Sequence, residues 1–410
     1  MRKIVLSSGL LILFLGIISV NLFATEKSNR VYFKINPKDR KIVLPVILNN
    51  NDTAYLAFDS GAGIGIFILD SSFCATHPNT MLNLATDTII RGGSSWSSNS
   101  TTTSVYKDTP KVNICNVNMK YSYMMIYNWK KYFGNYEVDG MFNIPKNDTT
   151  HVWELNFEKN YIEIHSSVGF KMPENCFVAS LINDYNSPYP FNIRLPLKIK
   201  CADGDTLTLN RTFLIDTGMP WDIALMSKAE ELPFFNKKQD AIWTEQQGTY
   251  YRQHNVTANV FEQFKLDSLR IYTFDFPTGI SANYLIGQNF LKRFNVFFDL
   301  KNKKLGLQPI QNFQRIVDPL YRRFHYSVIK NTKGKFIVTM VADYNENYYK
   351  TAGLQKGDEI VAVDGKPYKD IKREERRDFY KKETLVFDIF RKGKPLKIIV
   401  KVDKNEKQGD

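Results

Sequence analysis

Cysteine and histidine are scarce, with four cysteines and five histidines in 410 residues. His77, His151, His165, His254 and His325 form no H-E-x-x-H arrangement, and Cys74, Cys115, Cys176 and Cys201 show no metal-ligand spacing, so no metal site is expected. G-x-S-x-G is missing. Gly61-Ala62-Gly63-Ile64-Gly65 lacks the G-x-G-x-x-G spacing, the following helix and the later acid of a dinucleotide loop, and no cofactor is expected. The formal charge is +13, yet Lys and Arg are spread thinly and cluster only near Lys372–Lys382. With no nucleic-acid motif, that excess reads as a solvated surface and no nucleic-acid partner is expected.

Long apolar runs are absent beyond residue 24, so no later segment is expected to span a bilayer. The one such run follows Met1-Arg2-Lys3, extends from Ile4 to Val20 and ends at Leu22-Phe23-Ala24. That is the build of a secretory signal over 1–24, cut after Ala24, and it predicts an exported chain, periplasmic or secreted. A retained anchor is the rival reading, in which this segment alone meets the membrane. No cysteine follows for lipid attachment. Outside the cytoplasm the four cysteines can pair, locally as Cys74–Cys115 and Cys176–Cys201, or remain four buried thiols.

From Val31 to about Gln308, short β-branched and aromatic runs alternate with Asn, Asp, Gly and Ser clusters, which predicts a mostly β protein. Lys41–Leu48, Ala54–Phe58, Tyr161–His165 and Arg194–Ile199 are expected strands. Glu174–Pro190 reads as a crossing between two halves. The halves repeat in order. Each starts with an apolar strand running into Asp-Ser/Thr-Gly: Phe58-Asp59-Ser60-Gly61 and Ile215-Asp216-Thr217-Gly218. Each continues to an apolar stretch with Gly, Val138-Asp139-Gly140-Met141-Phe142 and Leu285-Ile286-Gly287. Each closes with a hairpin, Trp153–Ile164 and Val296–Leu307.

Average residue usage produces Asp-Ser/Thr-Gly about 0.2 times in a chain this long, so two copies in matching contexts imply a duplicated lobe. Such turns also arise for local hydrogen bonding alone. The paired residue types suit one chemistry. Two carboxylates around one water cannot both ionise cheaply, so one acts as base while the other acts as acid.

These motifs resemble the pepsin and retropepsin clan of aspartic peptidases across roughly Val31–Gln308. The resemblance implies a two-lobed acid-protease β-barrel fold, with lobe 1 over 28–170 and lobe 2 over 190–310. It implies Asp59 and Asp216 as the catalytic pair, Ser60, Gly61, Thr217 and Gly218 as supporting-loop residues, and Gly140 and Gly287 as each lobe's second supporting element. Met219-Pro220-Trp221 is bulky where the clan has small residues, and is expected to narrow the cleft. Such enzymes close a hairpin flap over substrate. Gly92 and Gly93, beginning 33 residues after Asp59, and Gly248, 32 after Asp216, are the candidate flap glycines.

Beyond Pro309 the segment Ala352–Pro367, with Gly357-Asp358 and Asp364-Gly365, resembles the centre of bacterial PDZ domains, implying a small α+β domain over 322–405 with Lys372–Lys382 as its groove helix. A PDZ-like groove adds a peptide as an extra strand and holds its terminal carboxylate on a Gly-rich loop. Phe324–Val328, at the loop position, contains no Gly, so capture of a C-terminal peptide and a purely structural appendage both stand. The expected function is an exported aspartic endopeptidase acting on peptides or proteins. The alternative is a non-catalytic peptide-binding protein that keeps the same cleft.

Overall fold

Along Ile42–Leu48 every residue is apolar but burial alternates, with Ile42, Leu44, Val46 and Leu48 fully buried and Val43, Pro45 and Ile47 on the opposite, more open face. In the computed structural model this run is strand β3, and it turns through Asn49-Asn50, both at positive φ, into β4 (Asp52–Phe58). The residues described are 29–36, 40–63, 65–81, 86–93, 100–128, 138–145, 147–182, 191–238, 242–246, 249–261, 264–274, 282–311, 313, 326–331, 334–341, 347–372, 375–376 and 379–402. The expected signal segment, 1–24, lies outside them. Among the described residues no helix is long and apolar enough to cross a membrane.

The chain divides into two compact units, Met1–Ile90 with Thr102–Val178 and Phe294–Pro309, and Arg91–Thr101 with Ala179–Arg293 and Ile310–Asp410. It is mostly β, as its alternating runs predict. In the first sheet, β3 and β4 are followed by β5 (Phe67–Asp70), β6 (Thr86–Gly93), β7 (Ser100–Tyr106), β8 (Val112–Ile114), β9 (Val117–Met119), β10 (Met124–Tyr127) and β11 (Gly140–Phe142). Their order in the sheet is β9-β8-β3-β4-β11-β5-β10-β7-β6. β4 runs parallel to β11, which is antiparallel to β5, which is parallel to β10.

The second unit repeats that weave. β15 (Asn192–Cys201), β16 (Thr206–Asp216), β17 (Ile223–Leu225), β18 (Ile242–Gln246), β19 (Thr249–Val260), β20 (Phe264–Thr273) and β21 (Tyr284–Gly287) are ordered β15-β16-β21-β17-β20-β19-β18. Parallel and antiparallel pairs alternate as in the first unit. One closure differs: β15 also pairs with β19, bending this sheet back on itself, whereas β3 pairs with β8.

The two closing hairpins do not stay one to each half. β12 (His151–Asn156) and β13 (Tyr161–Ser166) join β22 (Phe294–Asp299) and β23 (Lys304–Pro309) in one sheet through the β12–β22 ladder. Phe294–Pro309, expected at the end of the second lobe, therefore belongs to the first unit. β12 is buried at five of its six positions and β22 at all six, so each needs cover that its own hairpin cannot provide. β1 (Arg30–Tyr32) forms one edge of this sheet, while β2 (Lys34–Ile35) pairs with β3. β14 (Phe177–Ser180), inside the segment expected only to cross between halves, is a strand at the other edge.

The C-terminal region is a further sheet of β24 (Tyr326–Lys330), β25 (Phe336–Val341), β26 (Glu359–Val363), β27 (Lys366–Pro367), β28 (Thr384–Arg391) and β29 (Lys394–Lys401). Asp364-Gly365, both at positive φ, make the expected tight turn between β26 and β27. Buried Asp358 accepts from Arg391 at 2.7 and 2.8 Å, and Arg391 also donates to the Gly353 carbonyl, which ties the loop before β26 to the end of β28. Of the expected groove helix 372–382, residues 375–376 are helical and Phe379–Lys381 form a 3-10 turn, while 373–374 and 377–378 lie outside the described residues. All four cysteines are thiols, so neither local disulfide forms. Burial pushes Cys115 up to about 12, and Cys74 and Cys176 up to about 11, the values of inert packing thiols.

Candidate active site

Phe58, the last residue of β4, packs with Phe142 at 5.4 Å, Trp153 at 6.4 Å and Phe298 at 6.4 Å between ring centroids. This aromatic cluster anchors the strand whose next residue is Asp59. The chain then turns tightly. Asp59 Oδ1 accepts the N–H groups of Gly61 at 3.0 Å and Ala62 at 3.1 Å, the Ala62 N–H also reaches the Asp59 carbonyl, and Ser60 is fully buried beneath the loop. Asp59 itself is half-buried. Its Oδ2 lies 3.5 Å from the Lys41 ammonium, on the residue just before β3. The β3–β4 register explains the meeting: Ile42 faces Phe58, so one step on Lys41 faces Asp59. Sequence reading missed this pair, although the short Asn turn makes it countable.

Asp216, also half-buried, ends β16. The Met219 N–H donates to its carbonyl at 3.2 Å, matching the bond from Ala62 in the first unit, and Thr217 is buried as Ser60 is. Met219 and Trp221, the bulky residues after the second aspartate, turn into their own unit. They are 3% and 5% exposed, and Trp221 packs on Tyr251, Tyr272 and Phe274 at 5.1, 5.6 and 4.9 Å inside the core of the second unit.

The parallel ladders fix which residues support each aspartate. β16–β21 sets Gly287 level with Asp216. β4–β11 ends with Phe142 beside Phe58, so Asn143, not Gly140, is level with Asp59. The antiparallel neighbours agree: Asn143 N–H donates to Ile66 O at 3.0 Å, and Gly287 N–H to Asp222 O at 2.8 Å. Gly140 instead opens its strand at φ +153, where an added Cβ would lie 2.0 Å from Ile68 O. Gly287 leaves no room either, an added Cβ lying 2.4 Å from Trp221 O and 2.7 Å from Met219 O. The motif match aligned the two glycines; hydrogen bonding aligns Gly287 with a buried asparagine.

Gly92 and Gly93 end β6, and residues 94–99 between β6 and β7 lie outside the described residues. Gly248 also lies outside them, between β18 and β19, where Gln246 faces Thr249 across an antiparallel hairpin. β6–β7 and β18–β19 occupy the same places in the two strand orders.

Glu154, Glu163 and His165 bring ligand-type atoms within 4.8 Å of one another. Side chains already serve them: Arg30 donates to Glu163, while His165, Asn156 and Tyr161 surround Glu154. Burial pushes Glu154 up, but those hydrogen bonds outweigh it and hold the group below the ordinary carboxylate value.

No family model matches the chain. No curated protein matches it either. Among solved structures it is similar to an aspartic proteinase from Irpex lacteus, at 13% identity and a TM-score of 0.46, over 69% of this chain and 97% of that one.

Proposed function

We propose that this chain is an exported aspartic endopeptidase in which Asp59 and Asp216 activate one water for attack on a peptide carbonyl. The observation that carries the reading is internal: two Asp-Ser/Thr-Gly turns end equivalent strands, β4 and β16, of two sheets with the same seven-strand order. Equivalent strands ending in equivalent turns offer one carboxylate from each repeat. The mechanism requires the two to share the water and one proton. The ionised partner draws a proton from the water, and the protonated partner donates to the developing oxyanion. Ser60, Gly61, Thr217 and Gly218 hold the loops. Gly92, Gly93 and Gly248 serve hairpins that fold over substrate, and the C-terminal sheet, read as PDZ-like, selects protein substrates.

The second reading, a non-catalytic peptide-binding protein, is favoured by one observation: an ammonium already balances the charge of Asp59. Cleavage of a peptide library across pH, with and without a pepstatin-type inhibitor, separates the two. Asp59→Asn and Asp216→Asn should each fold, by circular dichroism, and lose at least about 10³-fold in turnover, a loss of the order that removing an essential catalytic group brings. A folded Asp216→Asn protein that cleaves at the parental rate removes the dyad. A parent that binds peptides and cuts none hands the site to the second reading.

A further inference from the structure

We infer that Asn143 is the positioning residue of the Asp59 loop, a role that rests on the peptidase reading and that no motif in the chain announces. Asn143 is fully buried, and every polar atom it has is used. Its Nδ2 donates to Ala62 O at 2.9 Å and to Ser60 O at 3.3 Å, and its Oδ1 accepts the Ile144 N–H at 2.7 Å. Its own N–H holds Ile66 O and its carbonyl accepts from Tyr121 Oη at 2.8 Å. One side chain thus grips two carbonyls of the turn whose N–H groups at Gly61 and Ala62 hold the Asp59 carboxylate.

A buried asparagine is usually no more than a satisfied polar group in a core. Two features separate this one. It is level with the aspartate in the ladder, and its bonds end on the carbonyls of Ser60, just before the first donor to the carboxylate, and of Ala62, the second donor, so loosening them displaces Asp59 directly. The second unit shows what happens without it. Gly287 fills the level position and has no space for a side chain, and the next residue, Gln288, donates its backbone N–H to Met219 O at 2.7 Å while its side chain reaches Thr217 O at 3.4 Å. The Asp59 turn is clamped from its neighbouring strand by a two-point side-chain amide, whereas on the Asp216 turn the Met219 carbonyl is held by the backbone N–H of Gln288 at 2.7 Å and the Gln288 side chain adds one long bond.

The full chain carrying Asn143→Ala, Asn143→Asp or Gln288→Ala provides the test. Asn143→Ala should lower kcat by about 10- to 100-fold, the range expected when a reacting group is displaced by up to an ångström, with KM within about threefold. Gln288→Ala should change kcat less than about threefold. Asn143→Asp has the shape of the parent but donates only when protonated, so its activity relative to the parent should recover as the pH falls, a trend that packing alone would not produce. Amide exchange at Gly61 and Ala62 should quicken at least tenfold in Asn143→Ala while Met219 stays as in the parent, and this readout holds even for a parent that cuts nothing. Parental exchange at Gly61 and Ala62, or kcat within twofold of the parent in both Asn143 variants of an active enzyme, overturns the inference. Loss of cleavage in the parent itself counts against the peptidase reading alone. If Asn143→Ala does not fold, Asn143→Asp decides by the same two measurements.

Discussion

In the first unit the aspartate turn follows an aromatic-anchored strand, faces a lysine across a hairpin and is gripped from the side by Asn143. In the second, the turn follows the same kind of strand in the same sheet order. It is packed instead from below, by Met219 and Trp221 folding back into their own core. The backbone weave is conserved between repeats and the side-chain solution is not. Backbone ladders demand only N–H and C=O groups, which every residue but proline supplies, whereas the space beside a turn is set by whichever side chains fill it. In the second unit the carbonyls of Trp221 and Met219, together with the Met219 methyl, leave room only for glycine at 287.

The largest test of this difference is at the two glycines. Gly140→Ala combines a backbone conformation that alanine avoids with a contact of 2.0 Å to backbone, and should cost about 4 kcal/mol or more, or yield no folded protein. Gly287→Ala has only the contact, and urea unfolding should show the smaller loss. Equal, minor losses would mean that neither turn is tightly packed. Next, Trp221→Ala should destabilise by about 3–5 kcal/mol, because a fully packed indole leaves a cavity ringed by Tyr251, Tyr272 and Phe274. Unchanged thermal unfolding would show that the Asp216 turn does not lean on it.

The units also answer acid differently. His254, on β19, is 1% exposed, and burial, with Arg252 and Lys238 adding to it, lowers it to about 3. An unfolded histidine binds its proton near 6.5, so between about pH 6.5 and 3 the unfolded chain holds the extra proton and stability falls as the pH falls, by up to about 1.4 kcal/mol per unit. His254→Gln should recover about 2 kcal/mol of the loss between pH 6.5 and 4.5, read from urea midpoints at both values. In the first unit Glu154 acts at lower pH, since a group held below its ordinary value gives stability that is full above that value and is lost as the pH falls through the folded one. An enzyme working in acid would operate against the His254 penalty. The smallest effect belongs to Arg30, a third exposed, which donates to Glu163 and lies 3.9 Å from the Tyr161 ring centre. Arg30→Ala should cost about 0.5–1 kcal/mol, and less at high salt.

Much of the first-order plan was legible along the chain. Apolar runs bounded by Asn, Asp and Gly mark β3, β4 and β13, and in β15 Lys198 and Lys200 alternate with buried Leu197 and Ile199 because one face of that strand is buried. Duplication marks Asp59 and Asp216, because two rare triplets recur at the ends of apolar strands. Even the Lys41–Asp59 pair follows from counting back across Asn49-Asn50. The role of Asn143 was not countable. It arrives by a parallel ladder across a separation of 84 residues, and no local spacing sets that register; the glycine spacing pointed to the wrong partner. The shared β12–β22 sheet was hidden for a related reason, since two similar hairpins read as two copies until each proves to need the other's cover.

The sequence by itself determined a mostly β chain, the repeated aspartate turns, the turn at Asp364-Gly365 and the burial of its apolar faces, all of which depend on local backbone preference or on residue period. Tertiary structure alone decided that the thiols stay apart, that Trp221 packs inward and that an asparagine stands beside one aspartate and a glycine beside the other. Those outcomes depend on which distant strands lie side by side and on how much volume is left between them, and neither quantity is written in any short stretch of chain.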